Sequence, residues 1–395
     1  MLDQVTKYIA KLTSDRSTIP GGIGFAVFDD ALLTLGDPTL SRLAGDVVTS
    51  CRCLGVVVAR PSLPFADFLV RRAGQNETRI IPRDTETRTF LHDIPFLRSI
   101  ETSDDAALPI SRLLANRKGL VVEGVGIVAL GPMTVEQAYI NYSSIFHAVF
   151  VKYLQDVLNE GFLLPGEALA FRKFREEWLR PLTASGLDFR SGPLQDPLEI
   201  IAEITAVGRY TVERGLVDSF FGNISVYAGH TIYISQTAAS LDELQGCIDP
   251  VALDDSSTAG ITASSELLAH RLIYETSDAR VILHGHPRFS VVMSMLCEEA
   301  ACTVKDCWKE CPRVRFLGDT PVVAGEIGAG GLAKRVPPVI AGPGKALVYG
   351  HGLFTIGRRD FGEAFRAMVD VENWCREEYF RRLQILHGSL WIDEH

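Results

Sequence analysis

Residues 119–158 and 345–384 align without a single gap, and this self-similarity limits what the chain can fold into more than any other feature. In that register Gly124, Gly126 and Gly131 fall on Gly350, Gly352 and Gly357, and Ala138 and Tyr139 fall on Ala364 and Phe365. Each copy reads as a strand, a glycine turn, a second strand and a long helix. A shorter echo sets "LHDIP" at 91–95 beside "LHGHP" at 283–287, equating His92 with His284 and Ile94 with His286. Together they predict two diverged copies of one unit. The length, 395 residues, agrees, being too great for one typical core.

A stretch rich in proline and glycine at 159–197 breaks the chain. The pattern predicts a first copy over 1–160, a connector over 161–194 and a second copy over 195–395. In the second copy "GNISVYAGHTIYISQT" alternates like a hairpin turning at Gly229. "ASSELLAHRLIYETS" reads as a helix opened by serines, with Glu266 in its first turn. "ARVILHGHP" is a strand closed by Pro287, and 360–386 is a long terminal helix. The first 85 residues hold a β-α-β-like stretch, "GFAVFDD…SRLAGDVVTSC…LGVVVARP", with no clear counterpart later.

Composition narrows the function. A formal net charge of −10 argues against a nucleic-acid partner, which needs a concentrated basic face. No apolar run approaches membrane-spanning length, and the first residues lack an apolar signal core, so a cytoplasmic protein is expected. The eight cysteines read as reduced thiols. Cys297, Cys302, Cys307 and Cys311 crowd one region but lack the paired C-x-x-C spacing of a structural zinc site.

The chemistry concentrates in "LHGHP". Residues two apart on a strand point to one face, so His284 and His286 can aim both imidazoles at one point. A catalytic zinc site typically uses three protein ligands, and "YGHGL" offers His351 between two glycines. Glu266 lies on the preceding helix and can supply a carboxylate for proton transfer. His270, four residues on, is expected to pair locally with Glu266.

The order "GNIS", "YISQTAASLDEL", "SSE", "HGHP", "GHG" resembles the class II aldolase/adducin family over roughly 195–385. The resemblance implies an α/β fold: a three-layer α/β/α domain with a central, mainly antiparallel sheet, here duplicated in tandem. It implies a metal-dependent aldehyde-lyase that cleaves or forms a carbon–carbon bond in a small sugar or sugar phosphate through an enediolate. It implies zinc, or another divalent metal such as Mn2+ or Co2+, on His284, His286 and His351, with Glu266 as acid/base. Asn223, Thr237, Ser264 and Ser265 match the residues that hold substrate phosphate. Family members are typically homo-oligomers, and a tandem chain could replace one neighbour with its own inactive copy.

The sequence departs from the family at "ISQTA", residues 234–238, where Gln236 replaces the usual proline and Ala238 the usual glycine. The region after the paired histidines also lacks the tyrosine of the aldolases. The amino copy has no "GNIS" and no "SSE", and Val125 stands where His351 does, so it is expected to be inactive. Epimerisation, dehydration and hydroxy-acid decarboxylation on the same fold are alternatives, as is a non-catalytic, adducin-like interaction module. "GAGGLA" at 328–333 satisfies the weak dinucleotide fingerprint, but Pro337 and Pro338 break the following helix too early for that role.

Overall fold

A computed structural model of the chain describes residues 1–99, 106–178, 180–218, 221–256, 258–299, 301–325 and 329–388. The chain divides into two units, Met1–Leu179 with Leu383–His395, and Arg180–Arg382.

The amino-terminal unit runs α1 (Leu2–Ser14), β1 (Thr18–Phe28), β2 (Leu32–Gly36), α2 (Pro38–Cys51), β3 (Gly55–Pro61), α3 (Phe65–Arg72), β4 (Arg79–Ile80), α4 (Thr85–Leu91), β5 (Ile94–Leu97), α5 (Ala107–Leu114), β6 (Gly119–Val122), β7 (Gly126–Gly131), α6 (Val135–Glu160) and α7 (Glu167–Trp178). Its strands stand in the order β2-β1-β3-β7-β6-β5-β4. Neighbours are antiparallel except β5 and β6. The apolar run "GVVVA" of β3 follows from burial on both faces. On one side α2 and α5 bring Leu40, Ala44, Val47, Ile110 and Leu114 against Val56 and Val58. On the other, α6 packs along β3 and β7.

The carboxyl-terminal unit runs α8 (Pro197–Glu213), β8 (Asn223–Ala228), β9 (Thr231–Ser235), β10 (Ile248–Ala252), α9 (Leu267–Thr276), β11 (Val281–Gly285), α10 (Arg288–Ser294), α11 (Cys307–Glu310), β12 (Arg315–Leu317), β13 (Thr320–Val323), α12 (Ala329–Arg335), α13 (Pro337–Ile340), β14 (Lys345–Val348), β15 (Leu353–Gly357) and α14 (Phe361–His387). Its strand order is β10-β9-β8-β11-β15-β14-β13-β12, with β13 and β14 the parallel pair. Ala269, Ile273, Leu332, Val336 and Ile340 cover one face, against Ile232, Ile234, Ile282 and Phe354. On the other, Met368 of α14 lies against Gly285.

With β10 set aside, the two strand orders are the same, and the parallel pair falls at the same place. One detail recurs at equivalent positions. A side chain at Gly131 would strike the Thr134 carbonyl at 2.2 Å, and one at Gly357 the Asp360 carbonyl at 2.1 Å.

Strand pairing corrects the histidine echo. Val58 pairs with Val128, and His284 pairs with Phe354, the residue aligned with Val128. The counterpart of "HGHP" is therefore Val58-Ala59-Arg60-Pro61, with Val58 at the place of His284 and Arg60 at that of His286. His92 instead ends α4, just ahead of β5, whose counterpart is β13. The echo joined two non-equivalent segments because each happens to carry a proline three residues after a histidine. The β-α-β-like stretch of the first 85 residues likewise has a counterpart, namely β8, β9, α9 and β11.

The stretch read as a connector is divided between the units. Phe171 and Phe174 of α7 pack on the ring of Phe65. Further on, Leu182 exchanges two hydrogen bonds with the Asn373 amide, and the Arg190 N–H donates to Glu203. Gly328 of "GAGGLA" lies outside the described residues, and α12 ends at Arg335, ahead of Pro337. All eight cysteines are free thiols. Among the described residues no helix is long and apolar enough to cross a membrane.

Candidate metal centre

His284 sits on β11, His286 one residue past its end, and His351 in the turn between β14 and β15. One nitrogen from each lies within 4.8 Å of the others. His284 and His286 face each other Nε2 to Nε2 at 3.0 Å. The His284 Nδ1 lies 3.1 Å from the Leu353 carbonyl. A carbonyl can only accept, so Nδ1 carries the proton and Nε2 turns a lone pair toward the centre. Two such nitrogens at this spacing repel unless a proton or a metal cation stands with them, and the donor set suits zinc.

Packing fixes the rings. Phe354 stacks on His284 at 3.9 Å between centroids, and Phe221 stacks on His286 at 5.5 Å. Gly352 provides the space between them: a Cβ there would lie 2.7 Å from His286 Cδ2 and 2.8 Å from His284 Cε1. The turn carrying His351 is held by the Gly350 N–H, which donates to Ser294 Oγ at 2.8 Å.

Glu266 joins the imidazoles. Its Oε1 lies 3.3 Å from His351 Nε2 and its Oε2 3.6 Å from His284 Nε2. It is the N-cap residue of α9 rather than a member of its first turn, and its N–H donates to Ser264 Oγ at 3.2 Å. Burial alone would raise its pKa. The charges of His284 and His351 and the Asn223 amide outweigh that, holding the carboxyl well below the usual carboxylate range.

The expected Glu266–His270 pair is not direct. Asn223 Nδ2 donates to Glu266 Oε2 at 2.8 Å, which turns Asn223 Oδ1 toward His270 Nε2 at 2.5 Å. An amide oxygen only accepts, so His270 donates from Nε2 and accepts at Nδ1 from Ser225 Oγ, 2.7 Å away. Tyr274 OH continues the chain, 2.7 Å from Ser225 Oγ. Burial pushes the His270 pKa down to about 3, consistent with a neutral ring. His270 is expected from the sequence only as a direct partner of Glu266, and Ser225 and Tyr274 have no role there. Their signal is periodic: Glu266, His270 and Tyr274 recur every fourth residue on α9, and Asn223 and Ser225 alternate on β8.

The expected anion-binding residues are only partly gathered. The Asn223 amide is committed to Glu266 and His270. Ser264 is buried beneath Glu266, while Ser265 and Thr237 are exposed, Thr237 donating to the Ala263 carbonyl at 2.9 Å. Ala238 holds φ +60, the left-handed conformation that favours the glycine of the family pattern. Gln236 spends its amide on Asp249 at 2.8 Å.

Among the described residues, the amino-terminal unit has none of this chemistry. By strand pairing, Gly24 and Ala26 occupy the places of Asn223 and Ser225. Counting back equally along α2 puts Leu40, Ala44 and Val48 at those of Glu266, His270 and Tyr274. Ala26, Leu40, Ala44, Val48 and Val58 belong to one buried apolar cluster, with Val125 packed against it.

Residues 202–379 match the family described as Class II Aldolase and Adducin N-terminal domain, and the carboxyl-terminal unit is a domain of this class. Among solved structures, the chain is similar to l-fuculose-1-phosphate aldolase from Thermus thermophilus, with 24% identity over 48% of this chain and 98% of that one and a TM-score of 0.41. It is similar to a sugar-phosphate aldolase from Thermotoga maritima, with 21% identity, coverage of 48% and 96%, and a TM-score of 0.34. It is similar to an aldolase II superfamily protein from Pseudomonas syringae, with 15% identity, coverage of 51% and 82%, and a TM-score of 0.38. No curated protein matches it.

Proposed function

We propose that the carboxyl-terminal unit is a zinc-dependent lyase that makes or breaks a carbon–carbon bond in a small sugar or sugar phosphate. The observation that carries this reading is the placing of both Glu266 oxygens, 3.3 and 3.6 Å from two of three convergent imidazoles. His284, His286 and His351 would hold the cation, and Mn2+ or Co2+ would also suit this donor set. When bound, the cation supplies Lewis-acid polarisation of the substrate carbonyl and its neighbouring hydroxyl. Glu266 moves the proton at the carbon beside the reacting bond. Asn223 holds that carboxylate in place, and His270, Ser225 and Tyr274 hold Asn223. The amino-terminal unit is read as a degenerate copy without metal chemistry.

The test is metal analysis of the wild type and His286→Ala, then a retro-aldol panel of free and phosphorylated ketoses. The expected result is close to one equivalent of divalent metal in the wild type, loss in the variant, and aldehyde release from at least one ketose. A wild type that takes up no divalent metal would sink the reading. Gln236, Ala238 and the committed Asn223 favour a second reading, in which the substrate is not a phosphorylated ketose. Metal binding without cleavage of any ketose would move the assignment to epimerisation, dehydration or decarboxylation.

A further inference from the structure

In the carboxyl-terminal unit only Gly318 and Asp319 separate β12 from β13, whereas the whole of α4 separates their counterparts β4 and β5. That insertion and the loop between α5 and β6 flank a half-open surface cavity of about 490 Å3. The size falls within the roughly 300–1,000 Å3 of small-molecule sites. Glu86, Phe90 and His92 line one side, and Asn116, Arg117 and Lys118 the other.

The two cations in the wall differ. Arg117 is engaged by Asp93, with Nε to Oδ1 and Nη2 to Oδ2 both at 2.7 Å. The Lys118 ammonium stands over the Phe90 ring, 3.1 Å from its centroid, and no carboxylate pairs with it among the described residues. Burial pulls its pKa down, so its charge is held at a cost that an incoming anion would offset. Beside it His92, the residue that ends α4, adopts φ +65, a conformation costly for any residue but glycine. Glu86 in the same wall disfavours a ligand of high negative charge.

We propose that this cavity binds a small organic molecule with one oxyanion group, a carboxylate or a phosphate ester, with Lys118 on the anionic oxygens and His92 and Asn116 on its neutral polar groups. The site lies wholly in the amino-terminal unit and does not depend on the metal-centre reading.

Calorimetric titration with inorganic phosphate, glycerol 3-phosphate and lactate tests it on the wild type, Lys118→Met, Lys118→Arg and His286→Ala. At least one probe should bind the wild type and His286→Ala alike. Its affinity should fall about tenfold or more in Lys118→Met and be largely kept in Lys118→Arg. The bound probe should also shield Lys118 of the wild type from acetylation, read by peptide mass spectrometry, which needs no variant. Binding that persists in Lys118→Met and vanishes in His286→Ala would place the anion at the metal centre and overturn the proposal. So would the failure of all three probes to bind or to shield Lys118.

Discussion

His270 Nε2 and Asn223 Oδ1 stand 2.5 Å apart with both side chains buried, and this one bond fixes which way the Asn223 amide faces. Reversal of the amide would set its oxygen against the Glu266 carboxylate. Replacing the imidazole in His270→Leu strands Asn223 Oδ1 and leaves Ser225 Oγ with Tyr274 alone. Chemical denaturation should show a loss of about 2–3 kcal/mol. Metal content should stay at the wild-type level, because the three ligating rings are untouched. An unchanged midpoint would show that the network contributes nothing.

The same residue predicts an acid sensitivity. The folded protein depresses the His270 pKa from 6.5 to about 3, so between those values the unfolded chain binds a proton that the folded one excludes. Its contribution is fully kept above pH 6.5 and is lost as pH falls, at about 1.4 kcal/mol per unit. Stability measured across this window should show that slope in the wild type and lack it in His270→Gln. Parallel curves for the two proteins would refute the assignment.

Gly352 supplies a test of the metal centre that removes no ligand. In Gly352→Ala the new methyl would meet the Gly285 carbonyl at 2.5 Å and the His286 and His284 rings at 2.7 and 2.8 Å, so strand end and rings must shift together. Affinity for zinc, measured by competition with a chromogenic chelator, should fall by about 10–100-fold while the fold persists. Wild-type affinity in this variant would mean that the rings do not act together on one ion.

At Ala238 the strain can be relieved. An L-residue in the left-handed region costs about 1–2 kcal/mol, partly offset in a glycine by its freer unfolded chain. Ala238→Gly should therefore raise stability by about 0.5 kcal/mol in urea unfolding. It should also raise the affinity for phosphorylated over free ketoses. A destabilised variant would mean that the loop is not strained at this residue.

The cluster of three imidazoles was legible in the sequence because its geometry is local. Two histidines two apart at a strand end share a face, and one glycine-flanked histidine follows in the turn that leads into the neighbouring strand. The support for Glu266 was written as clearly, in the spacing of His270 and Tyr274. It was missed because a four-residue step on a helix suggested a direct pair, whereas Asn223 reaches in from β8 to stand between them. The repeat was legible where both copies keep their glycines, at Gly131 and Gly357. Around β3 it was not, because the chemistry that marks "HGHP" has gone and only Pro61 remains to match Pro287. Register there is set by pairing with β7, which no short motif reports.

The apolar filling of the amino-terminal unit also bears on reversibility. A histidine placed at Val58 alone would bury an imidazole without a partner, and a glutamate at Leu40 alone would bury a charge without a donor. Either step costs about 1–3 kcal/mol or more, against the roughly 5–15 kcal/mol that typically holds a domain together. Only several substitutions made at once would compensate one another, so selection acting one change at a time has no downhill route to a metal site there. With no rings and carboxylate to keep in register, that unit carries a helix, α4, between its edge strand β4 and β5.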